Sequence, residues 1–256
     1  MKKIFLLEKY FRKFVPIYIF ARYVFVKIFL GFYFESEAVG FKYFKKKKNL
    51  TIIDIGANDG LSTNFFLKNF NNSKIIVFEP IKNIVNVNYK KYNRNQLRII
   101  NCALGNKNKD GFLFIPYTYF FFFKLYLTAY SKISYKKKYF IPNKNLKSFY
   151  TNNFYYKIVD VKVLKLDTFK IKADIIKIDV EGFEYNVVLG AIKTIIRNKP
   201  ILYIENPCTG IKILLRKMKY QQYYFNEKLN AFSIFNKSLD NRNFYFFYKN
   251  SVNYLI

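Results

Sequence analysis

The chain has 256 residues and a formal net charge of +29, from 45 Lys and Arg residues against 16 Asp and Glu residues. This length favours one α/β domain with an appendage and leaves room for a sizeable core. The absence of histidine excludes a Ser-His-Asp triad, a histidine general base and a histidine-bound metal. Because Cys102 and Cys208 form neither a zinc site nor a disulfide scaffold by themselves, we expect a cytoplasmic protein without a metal.

The positive charge has two explanations. A strongly basic chain can bind nucleic acid. A genome rich in A and T would also produce many Lys, Asn, Ile, Phe and Tyr residues without selection for a basic partner. We favour the compositional explanation and disfavour nucleic acid as a partner, because the lysines are spread along the chain and no nucleic-acid motif is present.

Residues 1–48 form a basic, aromatic extension that we predict to be helical. Within residues 1–30, seven Lys and Arg residues face one Glu. A membrane-spanning helix over Phe14–Phe34 is disfavoured, because Arg22 and Lys27 would each cost about 2.5–3.5 kcal/mol in mid-membrane. Two alternatives remain. The extension is either an amphipathic segment on the anionic inner face of the membrane, or a pair of short helices packed on the core.

The domain proper, residues 49–256, opens with alternating apolar strands and a glycine turn. Its first elements are the strand Thr51–Ile55, the turn glycines Gly56 and Gly60, a helix over Leu61–Phe70, the strand Ile75–Phe78 and the acid Glu79. This order is typical of the first βαβ unit of a nucleotide-binding sheet.

The residues of the turn restrict which nucleotide-type cofactor can bind. Asn58 and Leu61 stand where a dinucleotide fingerprint needs its second and third glycines, and no Gly-Lys-Ser/Thr follows to make a Walker loop. With Asp54 near the end of the first strand, the turn resembles motif I of S-adenosylmethionine-dependent methyltransferases.

This resemblance implies a role for each candidate cofactor-binding residue. Asp54 would hold the amino-acid part of the cofactor, directly or through water, and Gly56 and Gly60 would give it room, with Asn58 between them. Glu79 would accept hydrogen bonds from the ribose hydroxyls. The structural alternatives are that Asp54 caps a turn and that Glu79 is a surface charge.

The predicted sheet continues with a helix over Asn83–Asn93 and a strand over Leu97–Asn101. The turn after that strand contains Asn101 and Ala103. In a cofactor site this turn would lie under the adenine, which makes both residues binding candidates. The alternative is an ordinary connection between elements.

A long segment separates two β-rich stretches in the middle of the chain. Gly111–Ile115 and Ile158–Leu164 are predicted to form an antiparallel pair. Residues 116–157 between them are too long for an ordinary connection and are rich in Tyr, Phe and Lys. We therefore predict a helical insertion or a lid over the acceptor site.

The last third of the chain completes an α/β pattern. It contains a buried strand over Ala173–Val180, an amphipathic helix over Val187–Ile196, a strand over Ile201–Ile204 and a closing antiparallel hairpin of Phe232–Phe235 with Phe244–Tyr248. We predict a Rossmann-like, mostly parallel sheet of about seven strands with helices on both faces.

Four acids follow the later strands and are the catalytic candidates. Asp179 is the first choice for a base or for a group that orients the acceptor, because ligands of open α/β sheets bind at the carboxyl ends of the strands. Glu181, Glu184 and Glu205 are the other candidates, since neighbouring carboxylates raise one another's pKa, which suits a base. The structural alternatives are a charge at a helix N-terminus for Glu184 and an N-cap for Glu181. Lys177 should point away from the core or pair with an acid.

In order and spacing, residues 50–206 resemble the FkbM family of methyltransferases. The resemblance rests on Ile53-Asp54-Ile55-Gly56-Ala57-Asn58, Phe78-Glu79-Pro80, Leu166-Asp167-Thr168, Ile176-Lys177-Ile178-Asp179-Val180-Glu181-Gly182-Phe183-Glu184, Leu189-Gly190-Ala191 and Ile204-Glu205. It implies a class I methyltransferase fold, S-adenosylmethionine as methyl donor and, usually, O-methylation of a hydroxyl. Members of the family often act on sugars of surface glycans or on secondary metabolites.

Two functions from different classes follow from these observations. The first is a methyltransferase acting on a hydroxyl of a surface glycan, a lipid-linked saccharide or another small molecule at the inner membrane face. The second is a non-catalytic basic module that binds membrane or nucleic acid on a degenerate nucleotide-binding fold. The candidate cofactor residues and Asp179 favour the first, and only the charge favours the second.

Overall fold

The structure is a computed structural model, which describes residues 37–44, 49–70, 72–85, 95–120, 123–137, 155–234 and 243–249. Most of the N-terminal extension therefore lies outside the described residues, so neither alternative for residues 1–36 is tested. The predicted helix over Asn83–Asn93 is described only at its start. There, Asn83–Val85 form turns and bends, not helix.

Thirteen strands and four α-helices are present in the described part of the chain. The strands are β1 (Thr51–Ile55), β2 (Lys74–Phe78), β3 (Leu97–Ile100), β4 (Ala103–Leu104), β5 (Lys109–Phe120), β6 (Phe123–Tyr126), β7 (Lys132–Ser134), β8 (Tyr155–Leu164), β9 (Ile175–Ile178), β10 (Ile201–Glu205), β11 (Tyr220–Asn226), β12 (Ala231–Ile234) and β13 (Asn243–Tyr248). The helices are α1 (Leu61–Asn69), α2 (Glu184–Leu189), α3 (Ile192–Asn198) and α4 (Thr209–Lys217).

The main sheet has eight strands in the order β12-β11-β13-β10-β9-β1-β2-β3. The strands from β10 to β3 are parallel to one another. Of these, β1, β2 and β9 are short, largely apolar runs with nearly every residue buried, as expected for a sheet that is covered on both faces. The predicted fold class, a mostly parallel Rossmann-like sheet, is confirmed.

The pleat of the central strands sends alternate side chains into two separate cores. Ile52 and Ile175 belong to a cluster with Phe65 and Phe66 of α1. The next residues of these strands, Ile53 and Ile176, belong to a second cluster. The helices contribute Val187 of α2, Ile195 of α3 and Leu215 of α4 to this cluster. Helices therefore cover both faces of the sheet and leave the carboxyl ends of its parallel strands for the site.

The C-terminal part of the main sheet differs from the predicted hairpin. Phe244–Tyr248 do lie in an antiparallel strand, but β13 is inserted between β10 and β11. β12 pairs with β11 instead, with Tyr223 opposite Ile234. The prediction missed β11, whose aromatic residues also fit other strand pairings, and it missed the helix α4. The strand count is therefore eight in this sheet instead of about seven.

A second sheet of five strands, β4-β8-β5-β6 with β7 paired to β5, is inserted between β3 and β9. Its core is the predicted antiparallel pair, in which β5 and β8 stay in register from Lys109 opposite Val163 to Tyr117 opposite Tyr155. The predicted helical insertion at 116–157 is wrong in the described residues. That segment continues as β5, β6, a 3-10 turn at Thr128–Tyr130 and β7. Alternating aromatic and β-branched residues favour strands here.

A 3-10 helix over Glu37–Phe44 packs on the main sheet. Phe41 and Phe44 are fully buried. The Phe41 ring lies 5.0 Å from the Tyr203 ring and 5.2 Å from that of Phe66. This end of the N-terminal extension is therefore part of the core. No helix in the described stretches is long and apolar enough to cross a membrane.

The predicted helix over Val187–Ile196 is two short helices, α2 and α3, with a break at Gly190. A Cβ at Gly190 would lie 1.9 Å from the carbonyl oxygen of Gly105, so a glycine is required where this turn meets the end of β4. Asp167 holds the start of α3 by accepting hydrogen bonds from the backbone N–H groups of Lys193 and Thr194, at 3.1 and 2.8 Å. These contacts fix the segment that follows β9.

Candidate active site

The candidate residues gather where the parallel strands end. Asp54 lies in β1, and Glu79 and Asp179 follow β2 and β9, while Glu205 ends β10. Since β1, β2, β9 and β10 are neighbours in the sheet and run in one direction, their carboxyl ends form one edge. This edge is where ligands of open α/β sheets bind.

Gly56 fits a tight contact between β1 and β9. Its φ is +76°, and a Cβ there would lie 1.8 Å from the carbonyl oxygen of Asp179. The Gly56 N–H donates to the carbonyl oxygen of Phe78 at 3.0 Å. The glycine is needed because the turn passes directly over the end of β9. Its main effect is to let the ends of β1 and β9 lie close together.

Asn58 and Gly60 continue the turn with left-handed backbone conformations, at φ +48° and +86°. The Asn58 N–H donates to Oε2 of Glu79 at 2.9 Å. Oδ1 of Asn58 is buried and has no hydrogen-bond partner among the residues that the structure describes. A buried acceptor without a donor is costly, so this atom is a specific place for a ligand to donate a hydrogen bond.

Asp54 is fully buried behind the turn. Its Oδ2 accepts hydrogen bonds from the hydroxyls of Ser62 and Thr63, both at 2.7 Å. Its Oδ1 lies 3.4 Å from Nζ of Lys177. The carboxylate thus fixes the first turn of α1 to β1 and β9. Whether it also reaches a cofactor through water stays a prediction.

Glu79 is a buried acid and not a surface charge, since its side chain is only 5% exposed. Its Oε1 accepts from the N–H of Ile81 at 2.9 Å, and its Oε2 accepts from Asn58. Burial raises the pKa of this carboxyl, while the two backbone hydrogen bonds oppose the change. Each oxygen keeps a lone pair beyond the backbone bond, so the carboxylate can still accept hydrogen bonds from a diol.

The structure places Asn101 and Ala103 beside this acid. The Asn101 side-chain amide donates to the backbone carbonyl of Glu79 at 3.3 Å. Ala103 is buried in β4, at the entrance to the second sheet. The role of both residues under an adenine stays a prediction.

Asp179, Glu181 and Glu205 form an acidic cluster in which carboxylate oxygens of all three lie within 4.8 Å of one another. Asp179 is 26% exposed and pairs with Lys177 at 3.2 Å. Glu181 has a φ of +53°, and Oε1 of Glu205 accepts from the Asn206 amide at 3.2 Å. Carboxylates this close can hold a cation or accept hydrogen bonds from several hydroxyls.

Glu184 differs from the other three acids. It is 6% exposed, and its Oε1 accepts from the backbone N–H groups of Gly182 and Val180, at 2.9 and 3.3 Å. Burial is the largest cause that raises the pKa of this carboxyl, and the charge of Asp179 is a smaller one. These bonds shape the loop that carries Glu181. The catalytic role proposed for Glu184 stays a prediction.

Lys177 is the central residue of the site, and of the two alternatives predicted for it, pairing with an acid is the one that the structure shows. It is 3% exposed, contacts Asp54 and Asp179, and donates to the carbonyl oxygen of Gly56 at 3.2 Å. The feature of the sequence that pointed to this residue is a lysine in an otherwise apolar strand. Ser62 and Thr63, which had not been singled out, bind Asp54 from the start of α1.

This mixed sheet has a parallel centre, a glycine turn after its first strand and acids after the next strands, which defines a Rossmann-like α/β fold. The sequence profile described as the Methyltransferase FkbM domain matches residues 54–233, and the chain belongs to this family. The predicted family is thereby confirmed.

Two solved structures resemble this chain at low identity. The methyltransferase FkbM from Methylobacillus flagellatus KT is 15% identical with a TM-score of 0.47, over 78% of this chain and 44% of that one. The present chain thus spans less than half of that protein. A precorrin-6y C5,15-methyltransferase from Geobacter metallireducens GS-15 is 10% identical with a TM-score of 0.38, over 85% and 88% of the two chains. No curated protein matches.

Proposed function

We propose that this protein transfers a methyl group from S-adenosylmethionine to a hydroxyl of a sugar, in a surface glycan or a lipid-linked saccharide. The observation that carries the proposal is the Glu79 carboxylate. It is held at the end of β2 by the N–H groups of Asn58 and Ile81, beside the glycine turn. A fixed acid in this position suits a ribose diol. The family membership supports methyl transfer.

The residues of the turn fit the proposed cofactor. Glu79 would accept from the ribose hydroxyls, and the unpartnered Oδ1 of Asn58 would accept from a donor of the cofactor. Gly60, at φ +86°, precedes α1 and places no side chain above the turn. Asp54 would act by fixing the turn, through Ser62, Thr63 and Lys177. The cofactor supplies an electrophilic methyl group on a sulfonium.

The acidic cluster supplies what a hydroxyl acceptor needs. A sugar hydroxyl is a weak nucleophile, so a base must take its proton as the new C–O bond forms. Asp179 is our choice for that base, because it is partly exposed and Lys177 fixes one of its oxygens at 3.2 Å. Glu181 and Glu205 would accept hydrogen bonds from neighbouring hydroxyls, which orients one oxygen towards the methyl group.

A cluster of three acids favours a polyhydroxylated acceptor over one with a single hydroxyl. Each carboxylate can accept more than one hydrogen bond, and adjacent hydroxyls on a sugar ring offer several donors at close spacing. A negatively charged acceptor group would be repelled at this point. We therefore place a neutral, hydroxyl-bearing part of the acceptor against Asp179, Glu181 and Glu205.

The test is calorimetric titration of the purified protein with S-adenosylmethionine. We expect micromolar binding that Glu79→Ala abolishes. The matched control is Glu227→Ala, which removes the same charge from an exposed turn far along the chain. Failure of the folded wild-type protein to bind, or equal binding by Glu79→Ala, would contradict the proposed cofactor site. A salt-sensitive affinity for nucleic acid in its place would favour a non-catalytic basic module.

A further inference from the structure

One face of the second sheet begins at the candidate active site. In an antiparallel pair, residues in register share a face, and every second residue lies on it. Leu113, Val161 and Val163 lie on one such face and pack against Phe183. Phe183 follows directly on the loop of Glu181. The ring of Tyr135 lies 5.5 Å from that of Phe183.

Further along, the same face turns from aliphatic to aromatic. Tyr117 pairs in register with both Tyr155 and Tyr126, and Tyr119 is two residues on. The Tyr117 and Tyr155 rings are stacked at 5.6 Å, and the Tyr126 ring lies 5.5 Å from Tyr117. Tyr119, Tyr126 and Tyr155 are 45%, 40% and 48% exposed. Four tyrosines thus form one solvent-facing surface.

Two lysines lie over these rings. Lys124, in register with Tyr119, has its Nζ 5.3 Å from the centre of the Tyr117 ring. Lys157, in register with Ile115, has its Nζ 5.6 Å from the centre of the Tyr126 ring. We call Tyr117, Tyr119, Lys124, Tyr126, Tyr155 and Lys157 the tyrosine–lysine face.

The acids of the two long strands lie on the opposite side of the sheet. Asp110 is in register with Lys162, and Asp160 with Phe112. These residues are an odd number of positions from the tyrosines along each strand, so they lie on the other face. The tyrosine–lysine face therefore combines aromatic rings with cations, and the carboxylates of β5 and β8 are turned away from it. From Gly111 to Tyr119 the strand extends about 27 Å, at roughly 3.4 Å per residue.

We propose that the tyrosine–lysine face binds an anionic oligosaccharide whose far end enters the active site. This inference rests on the proposed function and adds the class of acceptor. Ring faces of tyrosine offer flat apolar surfaces on which the C–H faces of sugar rings can stack, and their hydroxyls can pair with sugar hydroxyls. Lys124 and Lys157 would pair with carboxylate or phosphate groups of the chain.

The arrangement of charge favours such an acceptor. The acidic cluster at the strand ends repels anions, whereas the tyrosine–lysine face attracts them. An acceptor chain that is neutral at the methylated sugar and anionic further along matches both regions. Between the two regions, Leu113, Ile115 and Val161 of this face are buried. The acceptor chain would therefore pass over the side chains that pack on them, such as Ile133 and Tyr135.

The test measures binding of two anionic probes, a hexagalacturonate and a heparin-derived hexasaccharide, with maltohexaose as a neutral reference. We expect Tyr155→Ser and Lys157→Gln each to weaken binding of an anionic probe about tenfold, since few contacts dominate such surfaces. The matched controls are Tyr156→Ser and Lys162→Gln on the opposite face of the same strand. We expect these controls to keep the affinity of the wild-type protein.

Titration of the same samples with S-adenosylmethionine separates the two proposals. If the cofactor binds but no anionic saccharide does, the tyrosine–lysine face is not an acceptor site and only this inference fails. If the cofactor does not bind either, the proposed function fails as well. Equal loss in the control variants would also overturn the inference. So would anionic vesicles or single-stranded RNA that bind through Tyr155 and Lys157 while saccharides do not.

Discussion

Asp54 and Lys177 are register partners on the neighbouring parallel strands β1 and β9, and their side chains meet in the interior of the sheet. Lys177 Nζ lies 3.4 Å from Asp54 Oδ1, and the two side chains are 3% and 0% exposed. The same ammonium group contacts Asp179 and the carbonyl oxygen of Gly56. One buried cation thus links the turn after β1 to the acid after β9.

Replacing this cation tests its structural importance. We expect Lys177→Met to lower the free energy of unfolding by about 3–5 kcal/mol, because it leaves the buried Asp54 carboxylate without its counter-charge. Urea unfolding measures the loss. Lys177→Met combined with Asp54→Asn should recover part of it, since the uncompensated charge is then gone. A loss below about 1 kcal/mol in the single variant would show that the ion pair contributes little.

The glycine turn offers a comparison of two positions with positive φ. Gly56→Ala would place a Cβ 1.8 Å from the Asp179 carbonyl oxygen, whereas Gly182, at φ +96°, has nothing within 4 Å of the added atom. We expect Gly182→Ala to cost about 1–3 kcal/mol from backbone strain alone. Gly56→Ala should cost at least about 2 kcal/mol more, from the clash. Thermal and urea unfolding check the order, and equal losses would contradict the close approach.

The buried acid Glu184 should make stability depend on pH. Burial raises its pKa above the usual value of 4.5, so the folded protein favours the protonated form. Its stabilising contribution is complete below the unfolded pKa and is lost as pH rises through the raised one. Glu184→Gln keeps an acceptor without the charge. We therefore expect the variant to gain stability relative to wild type as the pH rises above the usual pKa of 4.5. Parallel urea-unfolding profiles for the two proteins would argue against a raised pKa.

Asp167 should stabilise the segment after β9 through α3. It accepts hydrogen bonds from two backbone N–H groups and from the Thr194 hydroxyl, the last at 2.8 Å. We expect Asp167→Ala to cost about 1–2 kcal/mol of unfolding free energy, as for the loss of a helix cap. The control is Asp160→Ala in an exposed strand position, which should stay within about 0.5 kcal/mol of wild type. Chemical denaturation distinguishes the two results.

The proposed base can be tested separately from the cofactor site. We expect Asp179→Asn to lower turnover by at least about 100-fold, because the carboxylate that we assign as the base is then gone. Binding of S-adenosylmethionine should stay close to that of wild type. Release of S-adenosylhomocysteine with a panel of saccharides measures turnover, and Glu227→Gln serves as the control. Full turnover by Asp179→Asn would remove Asp179 from the role of base.

Much of the main sheet could be predicted because its signals are local. Strands such as Thr51–Ile55 and Ile201–Glu205 are short apolar runs bounded by turns, and parallel strands bring the residues after them to one edge. That rule is enough to bring Glu79, Asp179 and Glu205 to neighbouring strand ends without any knowledge of their contacts.

Other features depend on contacts between distant residues. The break between α2 and α3 follows from the approach of Gly190 to the Gly105 carbonyl, which periodicity does not contain. The segment from Pro116 to Phe120 is a strand because it pairs with β6 and β8, although its length suggested a lid. The contacts of Lys177 with Asp54 and Asp179 depend on the pairing of β1 with β9, which the local sequence does not specify.

The second sheet leaves and rejoins the main sheet at adjacent points. Ala103 and Leu104 of β4 pair directly with Val163 and Leu164 of β8, so the ends of the whole insertion are neighbours. A segment whose ends lie together can be exchanged for another of different length without moving the strands outside it. The proposed cofactor site, between β1 and β2, is therefore separate in the fold from the segment that we assign to acceptor binding. Exchange of the second sheet would change the proposed acceptor preference and leave the strands that carry Asp54 and Glu79 in place.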